Sequence, residues 1–103
     1  MAEPMKIRAQ LKGDVAAIRI LIHHPMETGL RKDAAGTLVP AHHIHTLTVD
    51  VGDRRIVDIH TGTAVSRNPV FAFKAKGAKA GEKVVVSWVD TKGERRTDEA
   101  VLA

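Results

Sequence analysis

Cysteine is absent from this chain and so is tyrosine; besides histidine, its only aromatic rings are Phe71, Phe73 and Trp88. Without cysteine there is no structural disulfide, no thiolate nucleophile, no cysteine-based metal site and no persulfide carrier within the chain. With aromatics at 3% of residues, the core must be built from Val, Ile, Leu and Ala, and the branched members of that set favour strands. The same scarcity argues against nucleic acid as a partner, because single-strand binders stack bases on aromatic side chains. Serine is limited to Ser66 and Ser87. Neither sits in a glycine-flanked nucleophile turn, so nothing supports a hydrolase. No stretch approaches the roughly 18 apolar residues of a membrane helix, and Met1 to Gln10 lacks the apolar segment of a secretion signal. Taken bare, this implies a cytoplasmic location and no membrane contact.

What is present suits one small folded domain spanning residues 1–103. Hydrophobic residues make up 44% and charged residues 27% of the 103, far from the composition of disordered chains. The formal charge of +4 favours an acidic partner or an anionic ligand through long-range attraction, without identifying it.

Apolar residues alternate strictly from Lys6 to Lys12, placing Ile7, Ala9 and Leu11 on one face. Gly13 and Asp14 turn the chain into a second strand, Val15 to His23, where Ile18, Ile20 and Ile22 share a face. The stretch from His24 to Ala41, with Pro25, Gly29, Gly36 and Pro40, reads as a long functional loop. His42 to Val51 is strand-like, with Leu47, Val49 and Val51 together; Gly52 and Asp53 make a tight turn into Arg54 to Thr61. Val70 to Lys76 and Glu82 to Asp90 follow. The latter has Val84, Val86 and Trp88 on one face, and Glu94 to Leu102 closes the series. Short strands at even spacing, glycine-rich turns and no helical period predict an immunoglobulin-like antiparallel β-sandwich of about seven strands.

Six histidines lie within the first 60 residues. His43 and His45, two apart on an expected strand, share a face as metal ligands would, and His23, His24 and Met26 lie in or beside the long loop. No carboxylate or fourth ligand is placed by spacing, so hydrogen-bonded strand-end and loop histidines are the preferred reading. Glu27, Arg31, Lys32 and Asp33 read as a solvated charged loop rather than an acid–base cluster. Lys74, Lys76, Lys79 and Lys83 around Gly77 and Gly81 read as a hairpin with a basic edge rather than a phosphate cradle.

The run His24-Pro25-Met26-Glu27-Thr28-Gly29-Leu30-Arg31-Lys32-Asp33, followed by Gly36, Pro40, Ala41 and His42, resembles the SoxZ family of the thiosulfate-oxidising system. Val65-Ser66, Asn68-Pro69, Phe71-Ala72-Phe73, Lys79-Ala80-Gly81, Ser87-Trp88-Val89-Asp90 and Thr97-Asp98-Glu99-Ala100 extend the resemblance over nearly the whole chain. It implies a non-catalytic subunit with no cofactor and no metal, paired as a heterodimer with SoxY. The C-terminal cysteine arm of SoxY would hold sulfur intermediates for the other Sox enzymes. It also implies a periplasmic location, reached by export with a signal-bearing SoxY, in place of the cytoplasm. The matching motifs without core periodicity mark partner contacts at His24, Pro25, Met26, Glu27, Thr28, Gly29 and Arg31, and at Arg95, Thr97 and Asp98. The rival readings are a histidine/methionine metal-binding periplasmic sandwich and a SoxZ-like domain serving another oxidation pathway; expressed alone, the chain is open to homodimer formation through an unpaired face.

Overall fold

The computed structural model describes residues 3–60 and 67–103. Seven strands form: β1 (Lys6–Lys12), β2 (Val15–Leu21), β3 (Ile44–Val51), β4 (Arg54–His60), β5 (Val70–Lys76), β6 (Lys83–Asp90) and β7 (Arg95–Val101). They make two antiparallel sheets, one of order β1-β2-β5 and one of order β4-β3-β6-β7. Each strand expected from the alternation is present, β1 and β5 with the expected bounds and the others with ends trimmed by one or two residues; Thr61 and the Val65-Ser66 pair lie outside the described residues.

The period-2 pattern turns each strand's apolar set toward the space between the sheets. Ile18 and Ile20, with Ile22 just past the end of β2, face Leu47, Val49 and Val51 of β3 and Val84, Val86 and Trp88 of β6, all at most 2% exposed. Removing each of these side chains from water contributes about 1.5–3 kcal/mol before the entropy of ordering the chain is set against it. Phe71 and Phe73 flank this core, their rings stacked 6.2 Å apart. Main-chain bonds from Leu11 N–H to the Ala103 carbonyl (3.0 Å) and from Leu102 N–H to the Glu82 carbonyl (2.9 Å) lace the C-terminus to both sheets.

Two features depart from the sequence expectation. The segment from Glu27 to His42 is an antiparallel arm rather than an irregular loop. Glu27 and His42 exchange main-chain bonds of 2.7 and 2.9 Å, and the Val39 amide donates to the Arg31 carbonyl at 2.7 Å. At the arm's tip the Asp33 carboxylate accepts from the amides of Ala35 (2.9 Å) and Thr37 (3.0 Å), a local closure that shows no hydrophobic period. Second, His43 and His45 do not share a strand face. Strand β3 begins at Ile44, and its register against β6 slips between Ile44 and Thr46, which places the irregularity at His45. A bulge of this kind breaks the alternation on which the shared face depended.

Two substitutions test this packing. Ile20→Ala is expected to lower the unfolding free energy by about 2–5 kcal/mol through the transfer and cavity terms. Gly52→Ala is expected to cost about 1–2 kcal/mol, because φ is +61° there and a Cβ would press on the Glu82 carboxylate. Urea unfolding curves of both variants check these values; an Ile20→Ala midpoint equal to that of the parent chain would contradict the assigned core.

Candidate functional site

The chain leaves β2 and crosses to the other sheet at His23 and His24. The crossing is fixed by Asn68, whose Oδ1 accepts from the His24 amide (3.0 Å) while its own amide donates to the His24 carbonyl (2.9 Å). Asn68 adopts a positive φ of 49° to do this, a conformation Asn tolerates better than most residues. Met26 is likewise at φ 50° and turns the chain into the arm. Its amide donates to His24 Nδ1 at 3.1 Å, and its Sδ accepts from the Ile44 amide at 3.5 Å.

That bond settles the His24 tautomer. An Nδ1 that accepts an amide proton must carry its own hydrogen on Nε2, and Nε2 lies 3.0 Å from Asp90 Oδ2. His42 Nε2 reaches the same oxygen at 2.7 Å. The other oxygen, Asp90 Oδ1, accepts from the amides of Lys92 (3.0 Å) and Glu94 (2.9 Å) in the β6–β7 turn. Asp90 is 1% exposed and His24 4%. The His24 ring meets His42 edge-on at 4.6 Å and Trp88 at 5.2 Å. Above them opens a cleft of about 600 Å³, with Glu3, His23, Arg67 and Glu94 on its walls.

Burial is the largest influence on His24 and holds it below its ordinary value of 6.5; the bond to Asp90 pulls upward and the neighbouring His42 ring downward again. Burial by itself pushes Asp90 upward, but the hydrogen bonds from His24, His42 and the Glu94 and Lys92 amides outweigh it and hold the carboxyl below 3.8. Further out, Arg31 clamps Glu27 through two nitrogens (2.8–3.1 Å) and lowers its pKa, and Arg96 does the same to Asp98.

Two histidines and a carboxylate within 4.8 Å of one another could in principle hold a metal ion. The hydrogen bonding here favours a different use. One His24 nitrogen is occupied by the Met26 amide, and the other aims its proton at an Asp90 oxygen already shared with His42. His43 and His45 lie outside this cluster: His43 Nδ1 faces the Glu27 carbonyl at 3.4 Å, and His45 Nδ1 meets Thr46 Oγ1 at 2.7 Å. Met26 is buried at 6% exposure with its sulfur turned to the main chain. Ser87 Oγ is bonded to Thr97 Oγ1 across β6 and β7 at 2.9 Å, a cross-strand pair rather than a nucleophile beside a base.

Of the residues marked as partner contacts, His24 and Met26 have buried side chains and set the arm's base, while Pro25 and Arg31 are exposed and Glu27, Thr28 and Gly29 half-buried along it. Arg95 and Thr97 are exposed on β7; Asp98 is half-buried, accepting from the Met5 amide at 2.9 Å and pairing with Arg96. Asp90 connects the two groups, since it grips His24 with one oxygen and the Glu94 amide, next to Arg95, with the other. Sequence reasoning missed Asp90 as a site residue. The signals were an aspartate ending the most apolar strand and a Thr-Lys-Gly turn behind it, but its partners lie 66 and 48 residues away.

The cluster makes stability pH-dependent with a defined sign. His24 and Asp90 both have folded-state pKa values below their unfolded ones, so the unfolded chain binds more protons as the pH falls. Stability is expected to decline on acidification in two stages, below about 6.5 through His24 and below about 3.8 through Asp90. Urea midpoints at pH 7.5 and 5.5 check the first stage, and His24→Gln should flatten that interval. Asp90→Ala, which strands two imidazole donors and two amides, is expected to cost about 3–5 kcal/mol at pH 7.5.

The comparisons with known proteins follow the same lines. A superoxide reductase in the oxidised state is similar over 96% of this chain and 86% of its own, with a TM-score of 0.66 and 16% identity. A superoxide reductase (neelaredoxin) from Archaeoglobus fulgidus in the reduced form is similar over 97% and 86%, with a TM-score of 0.57 and 17% identity. At such identities the likeness concerns the sandwich fold alone. None of the curated proteins matches the chain at a significant level. The family model described as "Sulphur oxidation protein SoxZ" matches residues 5–101, nearly the whole chain, including the arm, the histidines at its base and Asp90. The chain therefore belongs to the SoxZ family.

Proposed function

We propose that the chain is the non-catalytic SoxZ subunit of a SoxYZ sulfur-carrier complex in thiosulfate oxidation. The observation that carries this reading is a match to the SoxZ family over residues 5–101 in a chain without a single cysteine. A sulfur carrier must present a nucleophilic sulfur, so the thiol belongs to the other subunit, SoxY, on its C-terminal arm. What this chain adds is a rigid immunoglobulin-like body beside that arm and a surface on which the other Sox enzymes dock. Rigid scaffolds are suited to positioning a mobile functional segment.

The geometry supports a scaffold. The titratable groups at the arm's base satisfy one another, and Ser87, the one serine among the described residues, is bonded to the Thr97 hydroxyl rather than to a base. The exposed side of the arm, with Pro25, Arg31 and the apolar Leu30 at 81% and Leu38 at 54% exposure, offers contact area for SoxY or for an enzyme, as do Arg95 and Thr97. In this reading the complex works in the periplasm, having been exported with a signal-bearing SoxY.

Co-expression with the SoxY-like chain, followed by size-exclusion chromatography with mass detection, is expected to give a one-to-one heterodimer. Thiosulfate-dependent turnover should require both chains. If this chain elutes alone and turnover proceeds without it, the carrier-subunit reading fails; stoichiometric metal in the untagged protein would favour the metal-binding alternative instead.

A further inference from the structure

The outward face of the β1-β2-β5 sheet carries charge of one sign. The alternation that turns Ile7, Ile18 and Phe73 inward turns Lys6, Arg8, Lys12, Arg19, Lys74 and Lys76 outward. No outward position on these three strands is acidic, and none of the six cations pairs with a carboxylate among the described residues. The nearest carboxylates in sequence, Glu3 and Asp14, lie outside the strands. Between the cations run small aliphatic side chains, Ala17, Leu21 and Ala72, and the face is dented by grooves of about 490 and 400 Å³.

The other sheet shows that the fold does not require this. On its outward face Arg55 bonds Asp50 at 2.9 Å, and Lys83 lies 3.6 Å from Glu99, each across neighbouring strands. Lysines on an edge strand deter edge-to-edge pairing, which accounts for the cations of β1 and β5. It does not account for Arg19, which sits on the central strand β2 directly opposite Arg8. Like charges facing across a strand pair are destabilising, and the sheet tolerates this pair at its centre.

We propose that this face docks an acidic surface of a partner protein, namely an enzyme that acts on the carrier complex; the proposal rests on the SoxYZ reading above. Stable subunit interfaces are depleted of charge at their cores, whereas a densely charged face accelerates encounter and yields a short-lived, salt-sensitive complex. A carrier that passes from one enzyme to the next needs that kind of contact. Nucleic acid fits the face poorly, because both phenylalanines of β5 point to the core and leave no ring for base stacking.

The test compares three heterodimers purified with the SoxY-like chain: the parent, Arg8→Glu/Arg19→Glu/Lys74→Glu, and a control of equal charge change on the turns and the other sheet, Lys79→Glu/Lys83→Glu/Lys92→Glu. A milder Arg8→Gln/Arg19→Gln heterodimer keeps the test open if the triple reversal does not fold. At low ionic strength the face reversal should lower kcat/KM for the heterodimer in thiosulfate-dependent turnover about 10- to 100-fold through KM, with kcat unchanged. The control should stay near the parent, and the parent's salt dependence should vanish in the reversal. An unchanged kcat/KM overturns the proposal. So does loss of the heterodimer on reversal, which would make the face the SoxY interface, or parental binding to duplex DNA or phosphatidylglycerol vesicles that reversal abolishes while turnover is kept. If the parent chain itself fails to pair with the SoxY-like chain, the SoxYZ reading falls and this proposal with it.

Discussion

One oxygen of Asp90 accepts hydrogen bonds from two imidazoles, and the other accepts them from two main-chain amides of the β6–β7 turn. The carboxylate is buried, so its charge is tolerated only because all four donors are in place. His24 belongs to the crossing from the first sheet to the second, His42 to the returning limb of the arm, and Asp90 to the end of the central strand β6. A single carboxylate therefore ties the arm's two ends to the core. Trp88, two residues earlier on β6, packs edge-on against His24, and its buried Nε1–H has no hydrogen-bond partner among the described residues.

The knot gives His24 and His42 a structural use at the base of the arm. His24 stays neutral because its Nδ1 must accept the Met26 amide, and that amide is presented only by the left-handed turn at Met26. Main-chain conformation, tautomer and the hydrogen bond to Asp90 are one cooperative unit. The arm it anchors projects Leu30 and Leu38 into solvent, apolar exposure that suits contact with another chain.

The two sheets divide the remaining work. The four-stranded sheet sets opposite charges beside one another across its strands, Arg55 with Asp50 and Lys83 with Glu99. The three-stranded sheet leaves its cations without partners. The net charge of +4 is thus unevenly distributed, and composition alone carries no information about which face holds it.

The strands were legible in the sequence because a half-buried strand writes its period directly into side-chain polarity: Ile18, Ile20, Ile22 and Val84, Val86, Trp88 needed only local alternation to be assigned inward. The missing cysteine and the SoxZ-like motifs were equally plain. The arm was not legible, since its order comes from main-chain bonds and an Asp33 turn that leave no hydrophobic signature. Nor was the His24–Asp90–His42 cluster, because Asp90 is 66 and 48 residues from its two partners and meets them only once two sheets have closed. His43 and His45 show the converse: neighbours in sequence, they are separated by a shift in register that pairing with β6 imposes. Local sequence determined which residues face inward; the closing of one sheet over the other decided which polar groups share a site.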